Sequence, residues 1–434
     1  MTEPKELPNV LPVNARGVYI KSEAAADPRS MARIERMLPF IHFGGDPVIV
    51  DDEGLCRLVA AETPTWGRHG LRANEVEPVV IFNQFLNDHQ EAERQRRREA
   101  YPDLFRGGGP VRFGGYGGFD WRPSGDPAYR ERTGQVCQPA YALHSFWGCH
   151  FRCVYCSLGH VAQVYVNLED WVDHIERGCA DLANAPGQNL FQWDNGSDIV
   201  CWEPEYGGTK LLVDVFARQP DKYLELYVGK SDHVDFMLDY DHRGHTLCCW
   251  SLCHEAQTRE VEKRTASMEA RLSAARTCQD AGYPVRIRLS PMVPTVGWEA
   301  EIRHMVQRMF EEIKPEILTI EPLRFYTYDQ LCNDFAPGVI DPEFLTGIRD
   351  AETGSNHYER QFPEELVKRM YRVVFEEVLR ISPQTPVAFC REKRTVWDAF
   401  RTELARSGQD PDDYVCNCGP VSAGADARLV AATA

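Results

Sequence analysis

The sequence lacks any uninterrupted apolar run approaching the roughly 20 residues that a bilayer-crossing helix needs. Its first residues, Met1-Thr2-Glu3-Pro4-Lys5-Glu6, carry no apolar signal core. Together these absences predict a cytoplasmic protein with no membrane partner. A basic surplus is missing too: 65 acidic against 48 basic side chains leave a formal charge of −17. Such a surface repels phosphate backbones, so a nucleic-acid partner is not expected, and a small polar, cationic substrate is favoured. No internal repeat recurs. The glycine-rich stretch 106–118 has no Lys-Ser/Thr after it and does not open a helix, so it reads as a loop rather than a phosphate cradle. An even cysteine count is also absent; 15 thiols without an export signal argue against a disulfide scaffold and for a reduced state.

What is present is a chain of 434 residues, 43% hydrophobic and 26% charged, long enough for one large or two to three ordinary domains. Its most informative stretch is Trp147-Gly148-Cys149-His150-Phe151-Arg152-Cys153-Val154-Tyr155-Cys156. Cys149, Cys153 and Cys156, at C-x3-C-x2-C spacing with an aromatic before the last, can hold three irons of a [4Fe–4S] cluster and leave the fourth open to a small molecule. Buried packing cysteines, or zinc ligands, are the alternative reading. Zinc sites usually add paired C-x2-C knuckles and a fourth ligand. The pattern resembles that of the radical S-adenosylmethionine (SAM) superfamily, which implies SAM bound at the open iron and cleaved to a 5′-deoxyadenosyl radical.

Residues 1–135 read as a mixed α/β extension. Asp27 caps a helix that has Pro28 at its first position, strands lie at 48–50 and 79–82, and a charged helix spans 87–98. Residues 136–325 alternate strands (140–143, 190–193, 224–228, 246–250, 285–289, 317–321) with helices (168–182, 209–217, 234–238, 267–281, 298–313). Six such units fit an α/β fold, the partial (β/α)6 radical SAM barrel that the resemblance implies. The cysteine loop then follows the first strand, at the sheet edge where ligands bind in α/β folds. Residues 326–434 read as a helical extension, with helices at 363–380 and 396–405, an apolar segment 387–390 and a disordered tail from 423.

About 180 residues resemble the spore photoproduct lyase branch of that superfamily. The matching stretches are Tyr165-Val166-Asn167-Leu168-Glu169, Ser197-Asp198-Ile199-Val200, Gly229-Lys230-Ser231-Asp232-His233, Arg271-Leu272-Ser273-Ala274-Ala275-Arg276 and Gly297-Trp298-Glu299. The resemblance implies that Tyr155 neighbours adenine, Ser197 and Asp198 meet the methionyl amine, Lys230 meets the SAM carboxylate, and Ser251 reaches ribose or carboxylate. Two positions depart from it. Asn195 stands where the lyase has a hydrogen-donating cysteine, and Ser157 where it has a relay tyrosine. Cys201, six residues on, is a possible substitute donor that reads more simply as a buried thiol.

Without a hydrogen donor, a substrate radical must resolve by elimination, rearrangement or outside reduction. The chain resembles radical SAM dehydratases of aminoglycoside biosynthesis, so dehydration of an aminosugar diol is the leading expectation. A lyase of the DNA-repair kind, or another carbohydrate- or nucleoside-modifying enzyme, is the alternative. Glu203, Glu205, Tyr206 and Glu321 are the candidate proton-transfer groups beside Asn195, with Asp194, His254, Glu255 and Arg324 as further strand-end residues. Expected partners are an electron donor such as flavodoxin or ferredoxin and a downstream NAD(P)H reductase. Cys416 and Cys418, with Cys390 or Cys332, and Cys248-Cys249 with Cys253, match no strong ligand spacing and are expected to be reduced packing cysteines.

Overall fold

A computed structural model describes residues 12–62, 76–87, 90–102, 119–122, 127–156, 158, 161–182, 188–193, 196–351 and 361–420. The glycine-rich stretch 106–118, Ser157, Asp194, Asn195 and the tail from 423 lie outside them.

All six expected barrel strands form: Ala140–Leu143, Leu190–Trp193, Tyr223–Gly229, Thr246–Ser251, Val285–Met292 and Leu318–Pro322. They lie side by side in chain order and every pairing among them is parallel. Two strands extend this set to an eight-stranded sheet that curls as a half-barrel. Phe119–Arg122 runs antiparallel to Ala140–Leu143, and Val387–Phe389 runs parallel to Leu318–Pro322. The sheet therefore exceeds the six units read from the sequence, and its last strand comes from the region read as helical. Val387, Ala388 and Phe389 are all buried, and three apolar residues carry no period that separates strand from helix.

Strand periodicity gives the sheet two unlike faces. Phe191, Trp193, Leu224, Leu226, Cys248, Ile287 and Ile320 are buried in the main core. The alternate positions Gln192, Glu225, Cys249 and Thr319 are buried and polar. They are hydrogen-bonded to one another and to the C-terminal segment: Gln192 donates to Glu225 at 2.6 Å and to the Asn417 carbonyl at 3.2 Å. The Asn417 amide donates to Cys249 Sγ at 3.0 Å, and Thr319 donates to Asn417 Oδ1 at 2.8 Å. The C-terminal segment thus closes the concave side of the half-barrel.

Helices cover the apolar face. Trp298–Glu312 buries Trp298, Ile302, Met305, Val306 and Met309, one helical stripe, and packs against Glu364–Ile381, to which Arg303 is paired through Glu376 and Glu377. Met268–Asp280 starts at Ser267, whose side chain accepts from Ala270 N. The expected helix at 234–238 is only a 3-10 turn, Asp235–Met237, and the last expected helix breaks at Phe400 into Arg394–Ala399 and Arg401–Ala405.

A second sheet of five strands has the order Val48–Val50, Gly17–Lys21, Val79–Asn83, Val161–Tyr165 and Phe146–Trp147. Asp27 caps Pro28–Met37 as expected, accepting from Arg29 N and Ser30 N; the charged helix runs Glu91–Ala100. Among the described residues no helix is long and apolar enough to cross a membrane.

Candidate functional site

The cysteine loop leaves the half-barrel after Ala140–Leu143, passes through Phe146–Trp147 and returns as Val161–Tyr165, antiparallel to it. Both ends are thereby fixed. Gly148 makes the turn at φ +100°, and a Cβ there would lie 1.7 Å from the Val161 carbonyl oxygen, so no other residue fits without moving the loop. Cys149 N donates to Leu158 O at 3.1 Å, Cys156 N to Cys153 O at 2.9 Å and Val154 N to Val261 O at 3.0 Å. The last bond ties the loop to the segment after helix Glu255–Glu260.

Cys149 and Cys153 are buried and Cys156 is half-buried. All three line one cavity of about 120 Å³, which they share with Tyr155, Ser197, Asp198, Tyr227 and Lys230. Backbone donors point at the sulfurs: Phe151 N lies 3.4 Å from Cys149 Sγ, and Leu158 N lies 3.4 Å from Cys156 Sγ. Hydrogen bonds of this kind support and tune thiolates that ligate iron. Among the described residues no three His, Cys, Asp or Glu side chains close on a point as the ligands of one ion would. Ligands of a cluster are spread over several irons, so three thiols around a shared cavity fit it better than a mononuclear site.

The rest of the cavity suits the polar end of an amino acid. The Ser197 hydroxyl is buried with no hydrogen-bond partner. Asp198 is buried, with Oδ1 accepting from Lys230 N at 2.7 Å and Oδ2 3.5 Å from Cys149 Sγ. Burial raises its pKa, against the opposing pull of Lys230. Gly229, at φ +70°, leaves the space: a Cβ there would lie 1.7 Å from Asp198 Oδ1. Lys230 is buried, which disfavours its charge, yet Tyr227, Glu262 and Asp198 hold its pKa well above the ordinary value. An unpartnered hydroxyl, a carboxylate and an ammonium thus face the three thiols.

Behind the loop stands a residue that spacing did not single out. Glu262 is buried and accepts from Tyr155 Oη at 2.5 Å, Gln257 Nε2 at 3.0 Å and Arg271 NH2 at 2.9 Å. Burial opposes its charge, but Arg271 and Lys230 bring its pKa down to about 2. Glu262 therefore fixes the Tyr155 ring from below. Arg271 belongs to a stretch already matched to the lyase branch, and its full burial is the signal that it serves a buried acid.

The remaining candidates lie elsewhere. Ser251 Oγ donates to Ser290 O at 2.7 Å and does not line the cavity. Both Glu203 oxygens are engaged, accepting from Gly207 N at 2.8 Å, Thr209 N at 2.7 Å and Thr209 Oγ1 at 2.9 Å, so the carboxylate secures the start of helix Gly208–Phe216. Tyr206 is buried and donates to Tyr165 O at 2.9 Å. Glu205 is half-buried, one carboxylate oxygen is unpartnered, and burial raises its pKa. Glu321 is the next-to-last residue of Leu318–Pro322; it accepts from Ser290 Oγ at 2.8 Å and lies 3.5 Å from Arg324 Nε and 3.7 Å from Arg391 Nε. Burial works against its charge, and Arg391 and Arg324 overcome it, so its pKa is lowered. Cys201 is buried in the 3-10 turn Ile199–Trp202 and is not a cavity residue.

The parallel half-barrel, with its C-x3-C-x2-C loop after the first strand, is an α/β fold similar to that of radical SAM enzymes. A sequence model described as spore photoproduct lyase matches residues 135–333. The spore photoproduct lyase of Bacillus subtilis (strain 168) is 29% identical over 175 residues, 39% of this chain and 50% of that protein. That of Geobacillus sp. (strain Y412MC61) is 30% identical over 190 residues, 42% of this chain and 55% of that protein. The chain thus spans about half the length of the curated relatives it matches. A solved spore photoproduct lyase mutant with dinucleoside spore photoproduct superposes with a TM-score of 0.59 at 20% identity, over 87% of this chain and 100% of that one. A double mutant with bound AdoMet and the same dinucleoside gives 0.58 at 20% identity, over 87% and 98%. At that identity the structures establish likeness of fold.

Proposed function

We propose that this chain is a radical SAM lyase. Cys149, Cys153 and Cys156 would hold three irons of a [4Fe–4S] cluster, and SAM would occupy the adjoining space. The observation that carries the reading is the shared cavity: three thiols face the unpartnered Ser197 hydroxyl, Asp198 and Lys230. Asp198 and Ser197 complement an ammonium, Lys230 complements a carboxylate, and Tyr155, braced by Glu262, offers a ring face for adenine. When bound, the cluster and SAM supply a radical able to remove hydrogen from an unactivated C–H bond.

For the substrate we favour a sugar diol of the aminoglycoside type that loses water. Two observations support this: an amide at Asn195 is a poor hydrogen-atom donor, and the net charge of −17 favours a cationic small molecule. Glu321, next to last in its strand beside Ser290 and Arg324, is the carboxylate we assign to taking the proton from a substrate hydroxyl. Dehydration of this kind calls for an outside electron donor such as flavodoxin or ferredoxin, and a separate NAD(P)H reductase to finish deoxygenation. The comparisons favour the second reading, a lyase acting on a photoproduct in nucleic acid.

Anaerobically reconstituted protein, given SAM and dithionite, is tested in parallel with paromamine-like aminoglycosides and dinucleotide photoproducts. Substrate-dependent release of 5′-deoxyadenosine with the aminosugar, and a product lighter by one water, supports the first reading. Release with the dinucleotide alone replaces it with the second.

A further inference from the structure

Four thiols outside the cysteine loop meet inside the half-barrel. Cys137 and Cys390 are brought together by a strand pair: Gln135–Val136 runs antiparallel to Glu392–Lys393, with Val136 opposite Glu392, so the residues just beyond each strand lie alongside one another. Cys416 and Cys418 come from a tight C-terminal turn closed by Cys416 N to Gly419 O at 3.1 Å and Gly419 N to Cys416 O at 2.8 Å. Gln138 joins the two pairs, its amide lying 2.8 Å from Cys416 Sγ and also reaching the Gly419 carbonyl. The turn is anchored in the concave face by Arg286, which donates to Cys416 O at 3.0 Å, and by the Asn417 bonds to Thr319 and Cys249.

These thiols differ from the packing cysteines of the same chain. Cys179, Cys248 and Cys278 are fully buried in the apolar core. Of the four, Cys137, Cys390 and Cys418 are only partly buried, and donors point at the sulfurs of Cys416 and Cys418. Arg122 NH2 lies 3.6 Å from Cys418 Sγ, and Cys418 N lies 3.4 Å from Cys416 Sγ. Arg288 completes the surroundings: its guanidinium sits 5.6 Å from the centroid of Tyr227, a ring of the cysteine-loop cavity, and its Nε is buried with no hydrogen-bond partner.

We propose that Cys137, Cys390, Cys416 and Cys418 hold a second iron–sulfur cluster within the half-barrel, on the far side of Tyr227 from the cysteine loop. Four thiolates complete the ligand set of such a cluster, and the donors at Cys416 and Cys418 are those that stabilise ligated sulfur. Arg122 and Arg288 offset its negative charge. A single zinc ion would draw all four sulfurs within about 4 Å of one another, given Zn–S bonds of about 2.3 Å; the four do not close on such a point. This site is independent of whether SAM binds at the loop.

The test uses the full chain with Cys149→Ala, Cys153→Ala and Cys156→Ala combined, reconstituted anaerobically with iron and sulfide. It is expected to retain about four irons and four sulfides per chain, with an electron paramagnetic resonance signal after dithionite. Adding Cys416→Ala and Cys418→Ala should abolish both. A triple variant that folds, by circular dichroism, yet holds no iron overturns the proposal, as does one that takes zinc and refuses iron. If the triple variant does not fold, the wild-type chain decides: about eight irons support the second site and about four exclude it.

Discussion

Lys230 and Ser197 carry the most testable residue-level claims. Lys230→Gln keeps most of the side chain and removes the charge proposed to face the SAM carboxylate. It should raise the KM for SAM at least tenfold, with iron content unchanged, as read from 5′-deoxyadenosine formation over a SAM titration. Ser197→Ala removes a buried hydroxyl that has no partner within the protein. Stability should therefore hold or rise slightly in a denaturant titration, while SAM binding weakens. Glu262 works the other way. Replacing it with Gln leaves the fully buried Arg271 without its ion pair and should cost about 3–5 kcal/mol of stability. Spacing exposed the three cysteines because they are close in the chain. Glu262 could not be read the same way, since its partners Tyr155 and Arg271 are brought to it only by the fold.

At the scale of elements, two kinds of glycine and one acid separate architecture from chemistry. Gly148→Ala puts a methyl group against the fixed Val161 carbonyl and should abolish cluster assembly at the cysteine loop, whereas Gly45→Ala, with no atom within 4 Å of the added carbon, costs only the strain of its positive φ, about 1–2 kcal/mol. Glu203 secures a helix start with both oxygens. Glu203→Ala should lower stability by about 1–2 kcal/mol while leaving the turnover of folded protein near wild type; a collapse of turnover at full stability would return it to the chemistry. The six core strands were legible because each is an apolar run of ordinary length bounded by turn residues. Val387–Phe389 was not, being three residues whose strand character comes from the neighbouring Leu318–Pro322. The four-thiol group was illegible for a related reason: its members are separated by up to 281 positions of chain, as Gln138 is from Gly419, and only a strand pair and a turn unite them.

At the scale of the molecule, an acidic protein holds arginines at the mouth and on the concave side of its half-barrel: Arg122, Arg288, Arg324 and Arg391. Glu321 and Glu392 pair with Arg324 and Arg391, and the net −17 predicts weak, salt-suppressed binding to duplex DNA in a retardation assay. Tight binding would favour the nucleic-acid reading. The central claim is that the cysteine loop and its cavity generate a radical from SAM, and the most direct measurement is 5′-deoxyadenosine and methionine formed under anaerobic reduction. Wild-type protein with its cluster assembled should release both in equal amounts, and the Cys153→Ala variant neither. A wild-type chain that assembles the cluster yet leaves SAM intact, with every candidate substrate present, would contradict the account.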